Sequence, residues 1–170
     1  MMQARFVLLG ILLVGGGACT GAGARQSVAD EQAIKSLYEQ YSRAVGARNV
    51  DMIMAFYAPD ADLVAFDAFP PRQYLGASSY RKAYEGFFAA YPGPVTSEIS
   101  DLRISADGTL AFTSCIDRWV ATSSDQKATE IVFRVTNGLR KVDGRWRIAH
   151  EHLSVPVDPA SGKADFQSKP

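Results

Sequence analysis

The sequence has 170 residues, 47% of them hydrophobic and 21% charged, with 18 basic against 18 acidic side chains. That length suits one ordinary domain, and the apolar content excludes wholesale disorder. A formal net charge of zero lacks the basic excess of a nucleic-acid binder.

The N-terminal segment reads as a signal for export. Arg5 is the one charge ahead of an apolar run, Phe6–Ala18, which is too short to span a bilayer. Ala22-Gly23-Ala24 fits a small-x-small cleavage site, so residues 1–24 form a signal peptide and the mature protein is expected in the periplasm or medium. A rival reading cleaves before Cys19 and lipidates it, giving a lipid anchor without a membrane span. Cleavage after Ala24 leaves Cys115 with no disulfide partner, so the domain must be held together by its core.

Ser27 followed by Asp30 marks a helix start, and Ile34, Leu37, Tyr38, Tyr41, Ala44 and Val45 then recur at helical spacing. A second helix is predicted over Val50–Tyr57, with Pro59 as its stop. Leu63–Phe66 is a short strand. A third helix begins near Ser78 or Ser79, carries Tyr80, Tyr84, Phe87 and Phe88, and ends at Pro92-Gly93-Pro94. Beyond it the period changes to two. Strands are predicted over Thr96–Ser105, Thr109–Thr122, Lys127–Lys141 and Arg145–Val155, with Asp107-Gly108 and Asp143-Gly144 as hairpin turns. Residues 158–170 form a polar, flexible tail. Three helices on one face of a curved antiparallel sheet make residues 25–157 an α+β domain.

Alternation assigns faces to the strands. Trp146, Ile148, His150, His152 and Ser154 share a side, as do Phe133, Val135, Asn137 and Leu139, and Phe112, Ser114, Ile116, Arg118 and Val120. Each apolar face is therefore interrupted by a polar residue, and a buried charge needs a partner. A partly wet cavity between helices and sheet accommodates them all. Arg118 either pairs with Asp67 or meets a ligand's negative charge. His150 and His152 are core residues, pocket lining or metal ligands, although no third or fourth ligand is evident. The opposite face, with Cys115, Asp117 and Trp119, is then a subunit contact, and a homodimer is expected. The glycine-rich GGGACTGAG lacks the Lys-Ser/Thr of a phosphate loop, and no cofactor or metal is expected.

The order helix–helix–strand–helix–meander, with FYAPDADLVAFD, LGASSYRKAYEGFF and LRKVDGRWRIAHEHLSVPVD, resembles the nuclear transport factor 2-like superfamily. Within it the chain is similar to SnoaL-like and ketosteroid-isomerase-like bacterial proteins. Its DGRWRIAHEHLS also resembles the association domain of calcium/calmodulin-dependent protein kinase II. The resemblance implies a cone-shaped fold with a pocket at its open end. It implies Tyr41 as an oxyanion donor and Asp67, two residues beyond Ala65, as the general base. Arg118 matches a pocket arginine of the association domain, and Asn137 stands where other acidic or basic pocket residues fall. Three functions remain open. The first is an exported small-molecule-binding protein, with Arg118, Asn137, His150 and Tyr41 holding an apolar ligand that bears a carbonyl or carboxylate. The second is an isomerase, dehydratase or cyclase using Asp67 or His152 as base and Tyr41 as donor. The third is a non-catalytic oligomerisation module.

Overall fold

A computed structural model of the protein describes residues 20–168. The signal segment lies outside the described residues up to position 19. Helix α1 spans Thr20–Gly46 and so begins seven residues ahead of the expected start at Ser27. Its stripe of Ile34, Tyr38, Tyr41 and Val45 is buried. Asn49 caps the short α2, Val50–Met54, by accepting the Met52 N–H at 3.0 Å. Strand β1, Val64–Phe66, pairs with a two-residue β2, Tyr74–Leu75, that the sequence pattern does not announce. Helix α3 spans Ala77–Ala90 and buries Tyr80, Tyr84 and Phe88. The Arg48 guanidinium donates to the carbonyls of Phe88, Tyr91 and Gly93 at 2.5–2.6 Å. A cation thus satisfies acceptors in the last turn of α3 and just beyond it, and ties that end to the turn that follows α1.

Four long strands follow: β3 (Val95–Asp107), β4 (Leu110–Thr122), β5 (Ala128–Val142) and β6 (Arg145–Ser154). They form an antiparallel meander, and the six-stranded order is β2-β1-β6-β5-β4-β3, with β1 parallel to β6. Asp143 and Gly144 both adopt positive φ, 49° and 73°, as a two-residue hairpin turn between twisted strands requires. A bulge interrupts β3 between Ser100 and Arg103, where Asp101 has φ 52°. No helix among the described residues is long and apolar enough to cross a membrane.

A second bulge decides what faces the core. Ile148 lies opposite Leu139 but His150 lies opposite Gly138, so Ala149 is an extra residue in β6. One extra residue reverses the alternation beyond it. Trp146 and Ile148 point inward before the bulge, and Glu151 does so after it. His150 and His152 therefore lie on the other face, edge-on to the exposed Phe66 ring at 5.0 and 5.7 Å. Strand β4 also has the opposite phase to the one expected. Thr113, Cys115, Asp117, Trp119 and Ala121 are its buried set, while Arg118 is on the outer face between Glu98 and Glu130, at 3.1 and 2.8 Å. These placements correct three expected pocket residues, Arg118, His150 and His152, and the outward position given to Trp119. The β4 error has a physical source: both faces of that strand carry large apolar residues, so alternation alone does not choose between them.

The tail is not frayed over its described part. Asp158 accepts the N–H groups of Ala160 and Ser161, and the Val132 N–H donates to the Phe166 carbonyl at 2.8 Å. The Phe166 ring stacks on Phe69 at 5.7 Å.

At the other end of the core, Asp30 accepts from the Trp146 indole at 3.2 Å and pairs with Lys141 at 2.6 Å. The Lys141 ammonium also lies 4.9 Å from the centre of the Trp146 ring. Lys141 holds the Asp30 carboxyl below its usual range. Replacing Trp146 by Phe keeps an aromatic ring and removes the indole N–H, an expected loss of about 1 kcal/mol. Trp146→Ala also vacates the volume and should cost about 3–5 kcal/mol. Urea titration of the two variants checks the difference, which closes to nearly equal losses if the indole hydrogen bond dominates.

Candidate active site

A cavity of about 70 Å³ lies between α1, α3 and the inner face of the sheet. That volume holds several waters. Its walls are aromatic: Tyr38 and Tyr41 come from α1, Tyr80, Tyr84 and Phe87 from α3, and Trp119 and Phe133 from the sheet. Helical spacing stacks the tyrosines of each helix above one another, and strand alternation brings Trp119 and Phe133 to the same side.

The residues of the lining that can carry a charge near neutral pH are all carboxylic acids. Glu151, 3% exposed, receives the Tyr80 hydroxyl at 2.5 Å and the Tyr57 hydroxyl at 3.1 Å to each carboxylate oxygen. Burial raises its pKa to about 7, against the opposing pull of the two tyrosine hydrogen bonds. Asp117, 5% exposed, accepts from Ser97 Oγ and from Trp119 Nε1, both at 2.8 Å. Burial moves it up to about 6. Asp67 follows β1 at the cavity's edge, accepts the Phe69 N–H at 3.1 Å, and is also raised by burial. Among the described residues, no Arg, Lys or His lines this cavity.

A hydrogen-bonded row of hydroxyls links Glu151 to the upper wall. Tyr57 and Tyr84 are 2.9 Å apart, as are Tyr84 and Tyr41. When Glu151 is ionised, Tyr57 must donate to it. Tyr84 then donates to Tyr57, and Tyr41 to Tyr84, because each hydroxyl has one proton. When Glu151 is protonated the row can run the other way, which leaves the Tyr41 proton aimed into the cavity. On the other side Asn137, 1% exposed, donates from Nδ2 to the Tyr38 hydroxyl at 2.8 Å, and that hydroxyl meets Thr113 Oγ1 at 2.5 Å. Asn137 Oδ1 is buried without a hydrogen-bond partner.

Tyr41, Asp67 and Asn137 thus meet in one cavity, as expected, whereas Arg118, His150 and His152 lie elsewhere. Glu151 and Asp117 are site residues that the alternation argument does not find. The signal for Glu151 is a break of phase within β6: Trp146 and Ile148 occupy even positions, but Leu153 and Val155 are odd. A single strand that changes apolar parity must contain an extra residue. Among the described residues, no group of His, Cys, Asp and Glu is arranged to hold a metal ion. The buried carboxylates spend their contacts on hydroxyl and indole donors.

The SnoaL-like domain family matches residues 34–158. An NTF2-like protein of unknown function from Pseudomonas putida KT2440 is 35% identical, with 85% of this chain and 99% of that one covered and a TM-score of 0.75. A protein provisionally named scytalone dehydratase, from Novosphingobium aromaticivorans DSM 12444, is 17% identical over 74% of this chain and 83% of its own, with a TM-score of 0.67. A provisionally named calcium/calmodulin-dependent protein kinase II association domain from Xanthomonas campestris is 20% identical over 71% and 84%, with a TM-score of 0.63. These last two share the fold. No protein of curated function matches the chain. The matched span takes in α1 from Ile34 onward, the other helices, the sheet and every acidic residue of the cavity, and the chain belongs to the SnoaL-like family of the nuclear transport factor 2-like superfamily.

Proposed function

We propose that this protein binds a compact small molecule in the aromatic cavity and moves a proton on it, as an isomerase or dehydratase does. The observation that carries this reading is the row Tyr41–Tyr84–Tyr57–Glu151, ending on a carboxyl near pKa 7. Asp67, at the rim, takes a proton from a C–H next to a ligand carbonyl or hydroxyl-bearing carbon. Tyr41 gives its proton to the ligand oxygen, Tyr84 replaces it, Tyr57 replaces that one, and Glu151 supplies the last. One proton leaves Glu151 and one arrives on the ligand, so the row ends intact with Glu151 ionised. A group titrating near the working pH suits this role. Asp67 and Tyr41 keep the roles that the family resemblance implies, while Glu151 takes the place expected of His152. An oligomeric state and a location accompany the reading. The exposed Phe112 on the outer sheet face favours a homodimer, and the apolar segment Phe6–Ala18 favours a periplasmic or secreted protein.

Deuterium uptake from heavy water into a panel of cyclic ketones and enones, followed by proton NMR, tests the chemistry. Wild type should exchange protons next to the carbonyl, and Asp67→Asn should slow this by about 10²–10⁴-fold. Tyr41→Phe should slow exchange while ligands still change Trp119 fluorescence, read in a Trp146→Phe background. Ligand-induced fluorescence change without any exchange would reduce the protein to a binder.

Burying Glu151 also makes stability depend on pH. Its folded pKa of about 7 exceeds the ordinary 4.5, so the folded state holds a proton that the unfolded chain has released. The associated stability is complete below about pH 4.5 and is lost as pH rises through 7, on the order of 3 kcal/mol. Asp117 and Asp67 act in the same direction. The melting temperature should fall between pH 5 and 8, and Glu151→Gln should flatten that fall. Tyr80→Phe removes a donor to the carboxylate and should move the midpoint upward. A melting temperature that rises steadily over that interval, equally in wild type and Glu151→Gln, contradicts a buried neutral acid.

A further inference from the structure

We propose that the cavity selects ligands carrying an amine cation, with Asp117 as its counter-ion. This inference rests on the pocket reading above but assigns a residue that the proton transfer does not use. Asp117 sits 5% exposed on the inner face of β4, and its two oxygens accept only from the neutral donors Ser97 and Trp119. Those two hydrogen bonds fix the carboxylate in place without neutralising it. A buried carboxylate is costly unless a cation accompanies it. No Arg, Lys or His among the described residues lines the cavity to do so.

The surroundings match a cation in three further ways. Trp119 forms a ring cluster with Phe87 at 5.2 Å and with Tyr84 and Phe133 at 6.4 Å, next to the carboxylate. Aromatic faces attract ammonium groups that have lost water. Asn137, whose buried Oδ1 has no hydrogen-bond partner, belongs to the same lining. The remaining titratable groups are also acidic or neutral: Glu151 from β6, Asp67 beyond β1, Cys115 beside Asp117 on β4, and Tyr38, Tyr41, Tyr80 and Tyr84 from the two helices. A carboxylate ligand would meet only negative charge, so the loss of Arg118 from the pocket changes the expected ligand from an anion to an ammonium.

Three probes of one shape separate the possibilities: benzylammonium, benzyl alcohol and benzoate, titrated into the whole protein and read by Trp119 fluorescence and calorimetry. Near pH 8 benzylammonium should bind at least about tenfold more tightly than benzyl alcohol, the gain of one modest ion pair, and benzoate should bind least. The preference should shrink as pH falls through about 6, where Asp117 takes up its proton. Asp117→Asn should abolish the preference and spare benzyl alcohol binding, while Arg118→Met, on the outer face, should change nothing. Should Asp117→Asn not fold, the pH series in Glu151→Gln, which removes the cavity acid titrating near 7, distinguishes the same outcomes. Benzyl alcohol binding as tightly as benzylammonium at both pH values overturns the cation assignment and leaves the pocket reading intact. Failure of all three to bind overturns both.

Discussion

Much of this molecule is arranged around one buried carboxyl. Glu151 stands on the central strand of the core with 3% of its surface exposed, and an ionised group there must be compensated by hydrogen bonds. Two hydroxyls from different elements provide them. Tyr57 lies just beyond α2 and Tyr80 in the first turn of α3, so both must dock at a fixed height above the sheet. Tyr84, one helical turn after Tyr80, fills the space between Tyr57 and Tyr41 and hydrogen-bonds to both. Each hydroxyl is buried beside the next, so each one's satisfaction depends on its neighbour. That dependence links α1, α2, α3 and β6 more specifically than the apolar contacts around them.

Sheet and helices divide the work. The helices contribute hydroxyls and rings, which are neutral. The sheet contributes the charge, with Asp117 on β4, Glu151 on β6 and Asp67 just past β1. Strands hold side chains at a spacing set by the ladder, so the carboxylates stay separate although they share a cavity. Asp117 raises the affinity of Glu151 for protons only as a lesser influence beside burial. The outer sheet face follows ordinary surface rules: Arg118 joins Glu98 and Glu130 across three strands in water, the kind of ion pair that guides packing little.

The layout is legible where a pattern has one interpretation. Three helices, the order of the meander and its turns follow from the stripe of α1, the tyrosines of α3 and the Asp-Gly pairs. Strand β5 is also readable, because Phe133, Val135 and Leu139 face polar Arg134 and Thr136 across the backbone. Strand β4 is not, since Ile116 and Val120 compete with Cys115, Trp119 and Ala121 for the core. The choice is made by β5 and β3 on either side, a pairing that lies outside the strand itself. In β6 the apolar parity changes between Ile148 and Leu153, and carrying one alternation through the whole strand puts the histidines inside and the acid outside. Tyr41, Asp67 and Asn137 are recognisable one at a time. Their company is not, because it depends on the phase of two other strands.

Ala149 is one residue more than β6 needs. Without it a regular strand would still turn Trp146, Ile148 and Glu151 to the inner face, so a shorter relative can carry the same site. In that relative the acid comes four residues after the tryptophan instead of five. Written beneath this chain without a gap, it falls under His150, and two proteins with one chemistry look different at the position they share. The reverse comparison is equally misleading, since a histidine aligned with His150 in an unbulged strand of equal length would face the cavity. Homology at this site is therefore measured by distance along the sheet, and a single-residue gap carries more functional meaning than the substitutions around it.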